Sequence, residues 1–295
     1  MNNKSFTLIE ILVVVLTISI LSSVIYVISS GARERADFAK VLMFSTKLNS
    51  SLAENIVGQW DFNEGTGSSV YDSSGNGNTG TITGATWETN QSNCISDYCL
   101  NFNGSDQYIQ KASPSGLPSG QSARTISAWI YPNNVNPGGV IVALNDSTAT
   151  SQSFIFQLGF WSPNTYLFTD GKNSSNNITV SSTEIPLVGK WSNMIFIFDG
   201  DSGWKYYLNG ELKKQGTFTV QINTVVNNLS VGRRGDGGNT GSYWPGRIDQ
   251  VIIFDRAASV YNIQEIYLSG LSNLLINNQI SKEEYLERIK IASNE

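Results

Sequence analysis

Apolar and polar positions along the chain fall into three regimes. From Phe6 to Ile28 almost every residue is apolar, and no charge lies between Ile11 and Ala32. Coiled as a helix, such a run crosses about 30 Å of hydrocarbon. Past Arg33, the residues Phe38, Val41, Leu42, Leu48 and Leu52 recur at helical spacing, which predicts an amphipathic stem continuing to residue 55. The second regime, residues 56–270, reads as short strands. Trp191 to Asp199 sets Met194, Phe196 and Phe198 against Ile195 and Ile197, so both faces are apolar and an inner strand covered on both sides is predicted. Trp204 to Leu208 and Glu211–Leu212 flank Asn209-Gly210, the pair that supplies both positive-φ positions of a type I′ hairpin turn. Ser127–Tyr131, stopped by Pro132, and Ile248–Phe254 are further strands. Ser259–Leu268 has helical spacing, with Ser259 as N-cap. In the third regime, residues 271–295, two short helices are predicted around Ser272–Asn277 and Lys282–Ala292. Ser281 caps the second, Glu283 and Glu284 fill its acidic first turn, and Tyr285, Leu286 and Ile289 form its apolar face.

Composition agrees with a β-rich folded chain: 40% hydrophobic, 15% charged and 11% aromatic over 295 residues, with 27 glycines for tight turns. The formal net charge of −5 comes without a basic stripe, so no nucleic acid is expected as a partner. Arg233-Arg234, the densest basic pair of the strand-rich region, reads as a solvated loop face. The absence of histidine excludes Ser-His-Asp and Cys-His catalysis and any His-ligated metal. Cys94 and Cys99 are too far apart for a CxxC redox pair. In an exported domain they are expected to form a local disulfide that pins the loop before the strand around Leu100 and Phe102.

Glu10 is the anomaly of the first regime, because a carboxylate just inside a membrane span costs on the order of 3 kcal/mol. The segment Lys4-Ser5-Phe6-Thr7-Leu8-Ile9-Glu10 resembles the prepilin processing motif of type IV pilins and type II secretion pseudopilins. The resemblance implies cleavage between Ser5 and Phe6 by a prepilin peptidase and methylation of the new N-terminal Phe6. Glu10 would then pair with the amino terminus of a neighbouring subunit, two buried charges satisfying each other. Ser5 departs from the glycine usual before the cut. The rival is an ordinary secretory signal cut near Ser30-Gly31-Ala32.

In the strand-rich region, ordered stretches resemble the laminin-G-like, concanavalin A-like jelly-roll family. They are Gly58 to Gly67, Tyr71 to Asn78, Leu100 to Gly104, Thr125 to Trp129, Tyr207 to Gly210 and Ile248 to Val251. The resemblance implies a two-sheet antiparallel sandwich followed by a short helix. It also implies a calcium site in which the acidic end of the first strand, the oxygen-rich loop and the last strand meet. Glu64, Asp72, Asn76 and Asp249 are the expected ligands; the alternative for Asp72 and Asn76 is turn hydrogen bonding. Sugar binding is expected to use loop aromatics. Trp60, Trp87, Trp129 and Trp191 occupy family core positions, and Trp204 and Trp244 are assigned to the core too, leaving Trp161, Tyr166 and Tyr243 as candidates. Glycosidases need a carboxylate pair across a cleft, and no Glu-x-Asp-x-x-Glu pattern occurs on a strand, so no enzyme is expected.

The expected organisation is a leader (1–5), a pilin-type helix (6–55, transmembrane over 6–29 and amphipathic over 30–55), a β-sandwich (56–270) and a C-terminal helical segment (271–295). The expected fold class is mainly β, a two-sheet antiparallel jelly-roll head carried on a long N-terminal α-helix. The expected function is a filament subunit that leaves the cytoplasmic membrane, assembles with other pilin subunits and displays a lectin-like head toward surface glycans. The alternative is a membrane-anchored or secreted carbohydrate-binding surface protein that does not polymerise.

Overall fold

A computed structural model describes residues 55–293 apart from 135–137, 149–151, 160–164, 170–175 and 236–240. Two antiparallel sheets face each other. The first runs β14 (Glu211–Thr217), β13 (Gly203–Leu208), β12 (Ser192–Phe198), β7 (Arg124–Pro132), β16 (Pro245–Phe254), β5 (Leu100–Asn103) and β4 (Thr86–Trp87). The second half of β16 pairs instead with β1 (Ile56–Trp60). The second sheet runs β11 (Ile178–Val180), β10 (Thr165–Thr169), β9 (Phe154–Leu158), β8 (Gly139–Asn145), β15 (Asn228–Val231), β6 (Tyr108–Ala112), β3 (Gly80–Thr83) and β2 (Ser69–Val70). Neighbours distant in the chain, such as β7 beside β16 and β6 beside β15, are the crossovers of a jelly roll.

The inner faces meet in an aromatic core. Phe168 stacks on Phe196 with centroids 5.1 Å apart, and Phe154 lies 4.6 Å from Phe168. Each such side chain removed from water contributes about 1.5–3 kcal/mol. The double-faced pattern of β12 is explained by what covers each side. Met194, Phe196 and Phe198 enter the sandwich core, while Ile195 and Ile197 pack outward with Tyr207, Phe254, Ile263 and Ile266. Those last two isoleucines belong to α1 (Val260–Ile276), which lies on the outer face of the first sheet and is followed by α2 (Lys282–Ser293). At the β13–β14 turn Asn209 and Gly210 have φ of 54° and 78°, the two positive values expected there. Ser259 caps α1 as predicted. Its hydroxyl accepts from the Asn262 amide, and Asn262 Oδ1 accepts from the Ser259 amide.

Several expectations are corrected. The leader and the helix over 6–55 lie outside the described residues, Asn55 excepted. The fold class is corrected as well: where a sandwich carried on a long N-terminal helix was expected, the described residues form a two-sheet antiparallel sandwich whose two α-helices lie at its C-terminal end. The two α-helices among the described residues both follow β16, and neither is long and apolar enough to cross a membrane. The outer face of the first sheet is covered by α1 and α2. The helices expected at Ser259–Leu268 and Ser272–Asn277 are one. The helix runs through Gly270, and that glycine lets it press against Trp129; a Cβ there would sit 2.4 Å from the indole. On α2, Tyr285 is buried as expected but Leu286 is 54% exposed.

Glu265, on α1, is buried with neither carboxylate oxygen hydrogen-bonded. Burial raises its carboxyl from 4.5 to about 7. Between those values the folded chain keeps a proton that the unfolded chain has lost, so stability falls as pH rises through that window. Thermal melts should show a loss on the order of 1 kcal/mol between about pH 5 and about pH 8, or about 2–4 °C. Glu265→Gln should flatten that slope; an unchanged slope in the variant would place its origin elsewhere.

Candidate functional site

Strand alternation puts a polar row on the outer face of the second sheet. In β15, Leu229 and Val231 enter the core, so Asn228 and Ser230 point away from it. In β6 Ile109 enters the core, leaving Tyr108 and Gln110 on the same outer face. Register aligns them: Ser230 pairs with Gln110 on one side and Ala143 on the other, and Asn228 pairs with Asn145. The side chains join in one chain of hydrogen bonds. Arg233 Nη2 donates to Gln110 Oε1 (2.8 Å), Gln110 Nε2 to Asn228 Oδ1 (2.7 Å), and Asn228 Nδ2 to Ser230 Oγ (3.0 Å). Asn145 Nδ2 donates to the same hydroxyl at 3.2 Å.

Arg233 closes the row. Its guanidinium carbon lies 3.4 Å from the Tyr108 ring centroid, and the Tyr243 ring is 6.5 Å from Tyr108. The expectation of a solvated Arg233 is therefore wrong: only 8% of it is exposed, because the chain beyond β15 lays it across β6. Two buried polar atoms here lack partners, the donor Arg233 Nε and the acceptor Asn145 Oδ1. Buried polar groups in folded proteins are nearly always paired. Tyr108, Gln110 and Tyr243 are the half-buried edge of this row, and two tyrosine rings beside an amide match a ligand rich in hydroxyls, whose ring faces pack on aromatics.

The expected calcium ligands serve other contacts. Asp72 Oδ1 accepts from the Gln59 and Ser74 amides (3.0 Å each) and Oδ2 from the Asn78 amide (2.9 Å). Burial alone would raise the Asp72 carboxyl, but hydrogen bonds from Ser74, Gln59 and Asn78 outweigh it and hold it below the ordinary range. Glu64 Oε1 accepts from the Tyr71 amide (2.7 Å), while its Oε2 is buried without a partner. Asn76 Nδ2 donates to the Val57 carbonyl at 3.1 Å. Asp249 accepts from the amides of Ile95 (3.0 Å), Ser96 (3.3 Å) and Gln250 (2.8 Å), and burial pushes its carboxyl well above the usual range. Both oxygens of Asp72 and of Asp249 thus accept from amides of different loops. Among the described residues no three His, Cys, Asp or Glu side chains gather as a metal-holding group. Asp249 fastens the loop closed by the Cys94–Cys99 disulfide (S–S 2.04 Å, Cα–Cα 5.4 Å), which leads into β5.

Of the aromatic candidates, Tyr243 is half-buried beside Tyr108 and joins the polar row. Trp161 lies outside the described residues; Tyr166 belongs to β10, but its side chain is outside them too. Trp60, Trp129, Trp191, Trp204 and Trp244 are buried as expected, whereas Trp87 is only half-buried against the core. Tyr108, Gln110, Asn228, Ser230 and Arg233 were missed by sequence reasoning. Their signal was the polar–apolar alternation of Asn228-Leu229-Ser230-Val231 and of Tyr108-Ile109-Gln110, which marks one polar strand face. Of the buried carboxylates among the described residues, Asp146 follows β8, Asp249 lies in β16 and Glu265 in α1.

Comparison with known proteins places this architecture. The fourth domain of AbnA, an extracellular GH43 arabinanase of Geobacillus stearothermophilus solved with arabinotriose, superposes with TM-score 0.54 at 22% identity, covering 71% of this chain and 96% of that domain. The binding domain of Paraclostridial Mosquitocidal Protein 1 gives 0.55 at 15% identity, over 75% of this chain and 53% of that one. The receptor-binding domain of botulinum neurotoxin C/D mosaic serotype gives 0.54 at 13% identity, over 74% and 52%. The chain thus spans about half of the two toxin domains. At these identities the likeness is one of fold. No curated protein matches the chain. A family model described as the Concanavalin A-like lectin/glucanases superfamily matches residues 103–264, more than half of the 295 residues, and the chain belongs to that superfamily.

Proposed function

We propose that this protein is a non-catalytic carbohydrate-binding protein of the cell surface or exterior, and that it holds glycans on the outer face of its second sheet. The observation that carries the reading is the row from Arg233 through Gln110, Asn228 and Ser230 to Asn145, edged by the half-buried rings of Tyr108 and Tyr243. The disulfide supports an oxidising compartment. The arabinotriose held by the AbnA domain supports sugars as the ligand class. The test is binding of neutral oligosaccharides, arabinotriose among them, to the full chain and to Tyr108→Ala and Arg233→Gln. Each variant should weaken binding about tenfold or more, as the loss of a ring face or a charge-assisted hydrogen bond does. Affinity measured with calcium and with a chelator tests whether Glu64, Asp72, Asn76 and Asp249 hold a cation on which binding depends. A glycan array silent under both conditions would overturn the reading.

A second reading rests on the prepilin-like segment Lys4 to Glu10 alone. In it the same head is displayed by a subunit that a prepilin peptidase cuts before Phe6 and that joins other pilin subunits through Phe6 and Glu10. Mass spectrometry of sheared surface filaments decides it. An N-methylated Phe6 peptide supports assembly, and a mature chain starting near Arg33 in the medium refutes it.

A further inference from the structure

A groove of about 180 Å³ opens on the other side of the molecule, where the turn before β12 faces the α1–α2 pair. Tyr131, Lys190 and Trp191 line it from the sandwich, and Gln279, Glu284 and Arg288 from the helical end. The helical residues lie beyond position 264, where the family match ends, so this chain's own C-terminal extension builds half of the groove.

The charge around it runs against that of the whole chain, which is acidic. Lys190 is exposed. Arg288, whose side chain is 16% exposed, donates through Nη2 to Glu284 Oε1 at 2.7 Å and also reaches the Tyr267 hydroxyl. Arg247 lies 4.3 Å over the Tyr131 ring and is paired with Glu88 at 3.5 Å. Among the lining residues two cations, Lys190 and Arg288, therefore meet one carboxylate, Glu284. The walls combine the Tyr131 ring, held edge-on by Trp191 at 5.8 Å, with the amide of Gln279 and the carboxylate of Glu284. A carboxylate satisfies the excess cation, and hydroxyls on a ring satisfy the acceptors. The volume equals that of about six waters, enough for a single sugar ring and small for a drug-sized ligand.

We propose that this groove is a second ligand site, specific for one carboxylated sugar residue, a uronate. It is distinct from the sheet face, so either site can fail alone. Ligand-observed saturation-transfer NMR on the full chain tests it, with sodium glucuronate, glucose and acetate as probes. Glucuronate should give transfer that glucose and acetate do not. Lys190→Ala, at an exposed position that leaves folding intact, should weaken it about tenfold, as should Arg288→Gln checked for native circular dichroism. Tyr108→Ala should leave the glucuronate signal unchanged. No transfer from glucuronate, equal transfer from acetate, or a signal indifferent to Lys190→Ala would each overturn the proposal.

Discussion

Replacing Arg124 with Ala should destabilise the sandwich by about 3–5 kcal/mol, a large part of the stability of a domain this size. Arg124 starts β7 and is fully buried, and its hydrogen bonds go to backbone carbonyls and a hydroxyl. Its Nε donates to the Ser122 carbonyl (2.9 Å), Nη2 to the carbonyls of Gly120 (2.9 Å) and Ser119 (3.4 Å), and Nη1 to Thr224 Oγ1 (3.0 Å). The guanidinium also lies 4.9 Å from the Phe154 ring centroid and 5.9 Å from that of Phe198. Burial lowers its pKa to about 10, which leaves it charged at neutral pH. Removing it strands three carbonyls and a hydroxyl and opens a void between two aromatic rings. Arg124→Lys should recover little, because a single ammonium cannot serve this planar fan of acceptors. Urea melts of wild type and both variants provide the check. A cost below about 1 kcal/mol would mean that the 119–124 turn is held by other contacts.

Gly270→Val should detach α1 from the first sheet. A Cβ at position 270 would stand 2.4 Å from Trp129 Cε2 and Nε1, and Trp129 also stacks on Tyr267 of the same helix at 5.8 Å. Glycine inside a helix costs about 1 kcal/mol relative to alanine. Substitution therefore favours the helix and opposes its docking. Overpacking of a dense contact costs about 1–3 kcal/mol and more when backbone must move, so the opposing effect wins. Gly270→Ala should lose less than Gly270→Val, and both should weaken near-ultraviolet circular dichroism from Trp129 and Trp191. Because Trp191 and α2 line the uronate groove, glucuronate binding should fall with them. A stabilised Gly270→Ala would show that the helix sits farther from the indole than 2.4 Å implies.

The groove and the polar row differ in how far the amino-acid pattern reveals them. Tyr243 is the sequence-chosen aromatic that the structure places in the polar row. Asp72 was legible as a turn former, since an aspartate followed by Ser-Ser-Gly-Asn binds nearby amides. Asp249 was legible as a strand residue but not as an anchor. Its partners Ile95 and Ser96 are 154 and 153 positions away, brought alongside where β5 and β1 share one edge of β16. Arg233 beside Arg234 carries the pattern of a charged loop, and only its landing on Tyr108 makes it a buried part of a site.

The amino-acid pattern by itself determined the elements whose causes are local. The strand apolar on both faces, the Asn209-Gly210 hairpin, the Ser259 cap and the Cys94–Cys99 bridge each depend on residues within a turn or a strand of one another. Tertiary structure alone decided that one helix covers the first sheet without a break at Gly270. It also decided that Gln110 bonds Asn228, 118 residues away, and that Arg233 bonds Gln110, 123 away. The physical reason is register: a slip of one residue turns every side chain of a strand to the opposite face. The placing of β6 against β15 is chosen by the whole core, and no local pattern carries it.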